Sequence, residues 1–183
     1  AEIQEILIKS ASDLIDLDHP NYQFVAARLL LFSLRKSLYG GRRELPTLID
    51  HITELAYKDH YDKDIFTKYS KEEIEKVETF IDHDRDFLFT YAGLRQVVDK
   101  YLVQDRSTSK VYETPQFMYM MIALTIFREY PKETRLNYVK RYYDAISKHK
   151  INIPTPIMAG VRTPLRQFAS CVLVDVDDTL DSI

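Results

Sequence analysis

The sequence predicts a mainly α-helical fold with one small β-hairpin and a single strand near its C-terminal end. Three observations carry that expectation. Apolar residues return at helical spacing over most of the 183 residues. The period drops to two around residues 101–113. Only four glycines interrupt the chain, so few places invite a turn. The length suffices for one domain with its own core, or one domain with an appendage.

The elements follow in order. Residues 2–16 place Ile3, Ile6, Leu7, Leu14 and Ile15 at helical spacing, and Asp18, His19 and Pro20 break the pattern. Residues 21–39 repeat it with Phe24, Ala27, Leu30, Leu31, Leu34 and Leu38. Gly40 and Gly41 end that helix, because glycine accepts the left-handed C-cap. A third helix is expected over 45–57. Ser70 and Glu73 have capping-box spacing and open a fourth, running towards Ile81. A fifth covers 85–100, with Phe87, Tyr91, Leu94 and Val98 on one stripe. Residues 101–113 read as two short strands around a polar turn. Thr114 and Pro115 form an N-cap and a first-turn proline for a helix to about 130. Pro131 and Glu133 open another, to about 149. Residues 150–170 read as irregular, with prolines at 154, 156 and 164, and 171–176 as a buried strand.

Composition excludes several classes. Hydrophobic residues are 45% and charged residues 29%, ordinary for a soluble globular protein. A net charge of −3 argues against a general nucleic-acid binder, which carries a basic surplus. The longest apolar stretch, 117–127, is far short of the ~20 residues that span a bilayer, so it reads as a buried helix rather than a membrane segment. The first residues lack the basic start and apolar run of a signal peptide. One cysteine cannot form an internal disulfide, which points to a cytoplasmic setting. Thirteen tyrosines and no tryptophan suggest rings packed with their hydroxyls at the rim. His51, His60 and His149 are scattered, without metal-ligand spacing. Asp82, His83, Asp84 and Arg85 read as structural ion pairing, since residues two apart on a helix face different ways.

The passage 154–173 is the most informative. The lone Cys171 starts a short apolar run, Cys171, Val172, Leu173, Val174, directly after a polar loop marked by prolines. A thiol at the mouth of a buried strand results, with the hydroxyls of Ser170 and Thr155 near it in sequence. A buried strand needs partners for its backbone groups. The strand at 171–176 therefore expects a sheet supplied by residues beyond these 183.

This passage, together with the blocks at 21–28, 79–86, 100–104, 112–117 and 138–144, resembles the large, catalytic subunit of class I ribonucleotide reductases over nearly the whole chain. The resemblance implies the C-terminal part of an ATP-cone at 1–40 and a helical domain at 41–168. It also implies, at 169–183, the first strand of an incomplete ten-stranded α/β barrel and the start of an effector-binding segment. It implies reduction of ribonucleoside diphosphates to deoxyribonucleoside diphosphates by radical and dithiol chemistry, for DNA precursor synthesis. Cys171 matches one of two cysteines that deliver electrons and close a disulfide. Thr155 and Ser170 match substrate-binding residues, Asp178, Thr179 and Leu180 the specificity-effector segment, and Lys36 an effector-phosphate lysine of the cone. Gln4 and Ser33 stand where the family commonly has histidines, which implies altered activity control by ATP and dATP. No covalently bound cofactor and no metal is implied in this subunit; the effectors are ATP and deoxynucleoside triphosphates, and the radical comes from a metal-containing small subunit. The implied partners are the remainder of the large subunit, a second large subunit, the small subunit, and thioredoxin or glutaredoxin. A single thiol cannot complete a two-electron reduction, so this chain alone is expected to be inactive.

Two other readings stand beside this one. Asp175, Asp177 and Thr179, after an apolar run, look like the D-x-D-x-T motif of haloacid-dehalogenase-type phosphatases, with nucleophile, acid/base and bound magnesium. The helical pattern also fits a non-catalytic interaction module. For Cys171 the bland alternative is an inert buried thiol; for Thr155 it is loop geometry, and for Lys36 a solvated helix face.

Overall fold

A computed structural model describes residues 2–40, 45–105 and 107–173. Nine α-helices are described: α1 (Glu2–Asp13), α2 (Tyr22–Tyr39), α3 (Leu48–Tyr57), α4 (Ile65–Lys68), α5 (Lys71–Glu78), α6 (Tyr91–Gln96), α7 (Pro115–Ile126), α8 (Lys132–Ser147) and α9 (Thr155–Gly160). A 3₁₀ helix at His83–Leu88 precedes α6, and a π turn at Val97–Tyr101 follows it. Two short antiparallel strands, β1 (Gln104–Asp105) and β2 (Lys110–Val111), pair Gln104 with Val111 and Asp105 with Lys110.

The ends of these elements follow local chemistry. Gly40 takes φ of 64° and returns its N–H to the Lys36 carbonyl, closing α2. Thr47 caps α3 by accepting from the Asp50 N–H. The Ser70–Glu73 capping box at α5 is complete in both directions. Thr114 precedes Pro115 as expected, though its side chain makes no capping bond.

The core gathers around α7. Every residue from Pro115 to Leu124 is buried, because α7 is apolar all round rather than on one stripe. The helix α8 packs on α7, α6 on α2, and α3 on α5. A large-to-small change in α7, such as Met118→Ala, therefore costs about 2–5 kcal/mol. By contrast α1 packs on α2 through Ile8 and Ala11, while Ile3, Ile6 and Leu7 stay exposed.

Three expectations need correction. The single helix over 85–100 is a 3₁₀ helix, a break at Thr90, α6 and a π turn; Thr90 accepts from the Gly93 N–H and so starts a new helix. Phe87 is correspondingly exposed rather than part of a buried stripe. The irregular stretch 150–170 contains α9. Tyr61 and Tyr143 are fully buried, with hydroxyls bonded inside the protein instead of at its rim. The strand read at 171–176 was expected to need a sheet from elsewhere, and it has no partner among the described residues. Cys171, Val172 and Leu173 are exposed and unpaired, and 174–176 lie outside the described residues. A strand exists through its ladder to a neighbour, and among the described residues no segment pairs with 171–173.

Candidate functional site

The segment carrying the predicted site residues is anchored by one buried ion pair. Glu113, after β2, and Arg162, after α9, are both fully buried. Arg162 Nε lies 3.1 and 3.0 Å from the two Glu113 carboxylate oxygens, and its Nη2 also donates to Oε1. The remaining Arg162 donors reach the carbonyls of Met158 at 2.5 Å and Tyr101 at 2.7 Å. Glu113 further accepts from the Tyr61 hydroxyl and from the Val103 N–H, the latter at 2.6 Å. A buried charge pair is tolerable only when its other lone pairs and protons are also used. Here they are, and the bonds join 61, 101–103, 113 and 158–162 in one cluster.

Two neighbouring groups feel this cluster. Burial pushes the Tyr61 hydroxyl well above its usual range, with the Glu113 carboxylate adding to the effect. His51 sits 3.1 Å from the Tyr61 hydroxyl and stacks on Phe117 with ring centres 4.4 Å apart. Burial lowers its pKa to about 4, so its imidazole is neutral at pH 7. Because Tyr61 gives its hydrogen to Glu113, His51 Nε2 donates to the Tyr61 oxygen.

Outside the cluster, the Asp62 N–H donates to the Arg162 carbonyl at 2.9 Å. The Asp62 carboxylate meets Arg166 at 2.8 Å and Arg128 at 3.4 Å. A second polar network braces the first turn of α7 through Gln116. Asp86, 1% exposed, accepts from Arg35 at 3.0 Å and Gln116 at 2.9 Å; Tyr143 donates to Gln116 at 2.7 Å. Desolvation raises the Asp86 pKa, with hydrogen bonds from Gln116 and Arg35 opposing it. Arg85 bonds Asp144 and Ser147, each at 2.7 Å, and Asp82 caps the 3₁₀ helix, which makes 82–85 structural as the sequence implied.

Of the predicted site residues, Thr155 touches this frame. Thr155 is the first residue of α9, exposed, between Pro154 and Pro156. Its Oγ1 lies 3.4 Å from the Tyr101 hydroxyl, which accepts from Gln96 Nε2 at 3.2 Å. Tyr101 also lines a cavity of about 500 Å³ with Phe89, Tyr119 and Met158. Ser170 and Cys171 are both exposed, and the Ser170 hydroxyl approaches the sulfur at 3.9 Å. Thr155 makes no hydrogen bond to either among the described residues. Lys36 is exposed near the end of α2. Asp178, Thr179 and Leu180 lie outside the described residues, as do Asp175 and Asp177 of the phosphatase-like motif. Among the described residues no helix is long and apolar enough to cross a membrane.

Sequence reasoning passes over Glu113, Arg162, Tyr61 and Tyr101. Glu113 and Arg162 are 49 positions apart, and nothing in their local patterns pairs them. The one available signal is a charge flanked by apolar or small neighbours: Arg162 follows Gly160 and Val161.

The helical frame that holds this segment is of a known class. Residues 87–166 match the family model described as "Ribonucleotide reductase, all-alpha domain". Over all 183 residues the chain is 52% identical to the ribonucleoside-diphosphate reductase 1 subunit alpha of Escherichia coli (strain K12), and 52% identical to the corresponding subunit alpha of Haemophilus influenzae. It is 48% identical over 182 residues to the subunit alpha of Enterobacteria phage T4. The chain is thus a homologue of the ribonucleoside-diphosphate reductase alpha subunit. It spans 24% of the length of these relatives.

Proposed function

We propose that this chain forms part of the large subunit of a cytoplasmic class I ribonucleoside-diphosphate reductase and supplies one redox thiol to it. The observation that carries the reading is the 52% identity to reductase alpha subunits across the entire chain, the 154–173 passage included. Residues 1–40 then correspond to the tail of an ATP-cone, 41–168 to the helical domain, and 169–183 to the first barrel strand with the start of the effector segment. The exposure of Cys171, Val172 and Leu173 supports it, because a strand that completes a sheet from elsewhere needs free backbone and apolar surface.

The chemistry divides accordingly. A ribonucleoside diphosphate and two thiols yield the deoxyribonucleoside diphosphate, water and one disulfide. Cys171 gives one thiol; the second comes from the remainder of the subunit. A thioredoxin- or glutaredoxin-type dithiol then reduces the disulfide by exchange. The initiating radical arrives from the metal-containing small subunit. Thr155 and Ser170 present hydroxyl donors to the substrate, with Thr155 at its phosphates. Lys36, Asp178, Thr179 and Leu180 serve nucleotide effectors, the last three at the contact with a second large subunit.

Complementation tests the reading. The chain is mixed with the rest of the large subunit, small subunit and reductant, and diphosphate reduction is followed. Turnover that depends on this chain and fails in Cys171→Ser is expected. Sustained multiple turnover by Cys171→Ser would end the assignment.

A further inference from the structure

Resting on the reading of Thr155 as a phosphate ligand, we infer that Tyr101 and Gln96 are positioning residues that fix the direction of the Thr155 hydroxyl hydrogen towards a ribonucleoside diphosphate. The three side chains form a one-way donor chain. Gln96 Nε2 donates to the Tyr101 oxygen at 3.2 Å. A phenol oxygen that accepts an amide hydrogen still carries its own hydrogen, and the acceptor within reach is Thr155 Oγ1 at 3.4 Å. Thr155 has one hydrogen and two lone pairs. With a lone pair engaged by Tyr101, its hydrogen turns outward, and Thr155 is exposed.

The polarity matters because a phosphate oxygen accepts and does not donate. In the reverse arrangement, with Thr155 donating to Tyr101, lone pairs alone would face the anion. Both ends of the contact are held in place. The Tyr101 carbonyl is gripped by buried Arg162, and the Leu102 N–H returns to the Val97 carbonyl at 3.0 Å, closing the π turn. Such turns are rare and gather at functional sites. Pro154 and Pro156 fix the backbone on either side of Thr155. At 3.4 Å the hydroxyl contact is longer than a fully formed O–H···O bond, and such contacts shorten when a charged acceptor polarises the chain.

The reconstituted reductase tests this with Tyr101→Phe, Thr155→Val and the double variant. Tyr101→Phe keeps the ring and removes the relay. It is expected to raise KM for the ribonucleoside diphosphate about fivefold while kcat stays within about twofold, the size of one neutral hydrogen bond. Thr155→Val, which removes a bond to an anion, is expected to raise KM about tenfold or more. The double variant should match Thr155→Val alone, since the relay acts only through that hydroxyl. A merely structural Tyr101 would lower kcat and thermal stability together and would add to Thr155→Val. An unchanged KM in Tyr101→Phe, or additive effects, overturns the relay and leaves the phosphate role of Thr155 standing. An unchanged KM in Thr155→Val, or no turnover by the unsubstituted assembly, overturns both.

Discussion

Replacing Arg162 by methionine probes the anchor of the candidate site. Methionine fills much of the arginine volume but carries no charge and no donors. The change removes the bonds to Glu113 and those to the Met158 and Tyr101 carbonyls. Glu113 keeps Tyr61 and the Val103 N–H as partners but loses its counter-charge in a fully buried place. Removing one partner of a buried pair costs about 3–5 kcal/mol. For a domain of this size, 1 kcal/mol moves the melting point by about 2–4 °C, so Tm should fall by about 6–20 °C. Urea unfolding followed by far-UV circular dichroism measures it, since the chain has no tryptophan reporter. Adding Glu113→Gln to Arg162→Met should recover part of the loss, because no bare charge then remains. A loss below about 1 kcal/mol, or a double variant weaker than the single by the full cost of a second buried bond, would refute the anchor argument.

Two further outcomes follow from buried and exposed groups. His51 has a folded pKa of about 4 against an unfolded value near 6.5, so it binds its proton on unfolding. Its contribution is full above about pH 6.5 and is lost as pH falls towards 4, up to about 3 kcal/mol; His51→Gln should flatten the urea-midpoint curve across that window, and an unchanged slope would count against a neutral buried imidazole. Cys171 is exposed, so an aromatic disulfide reagent should titrate one thiol in the native chain at a rate within a few-fold of that in urea; strong native protection would contradict its placement.

Legibility in the sequence depended on how local each signal was. Gly40, the Ser70–Glu73 box and the Thr114–Pro115 step are set by residues within one turn, and all mark helix ends where expected. The apolar block 117–127 announced a buried helix because no polar face interrupted it. The break at Thr90 was hidden by the apolar spacing of Phe87, Tyr91 and Leu94, which mimics one continuous helix. Thr155, Ser170 and Cys171 could be named from the resemblance, yet the residues that hold their segment could not. Arg162 meets Glu113 only after the hairpin and α9 fold together, and Tyr101 reaches Thr155 across 54 positions.

Asp62 ties the turn before α4 to Arg162 and Arg166, the latter 104 positions further along the chain. A loop early in the polypeptide therefore acts as a mooring for residues translated much later. Lengthening that loop by even one residue would shift the berth of the 161–166 stretch and, with it, the thiol a few positions on. An insertion there should therefore be tolerated worse than at an untied surface bend, although this bend carries no chemistry of its own.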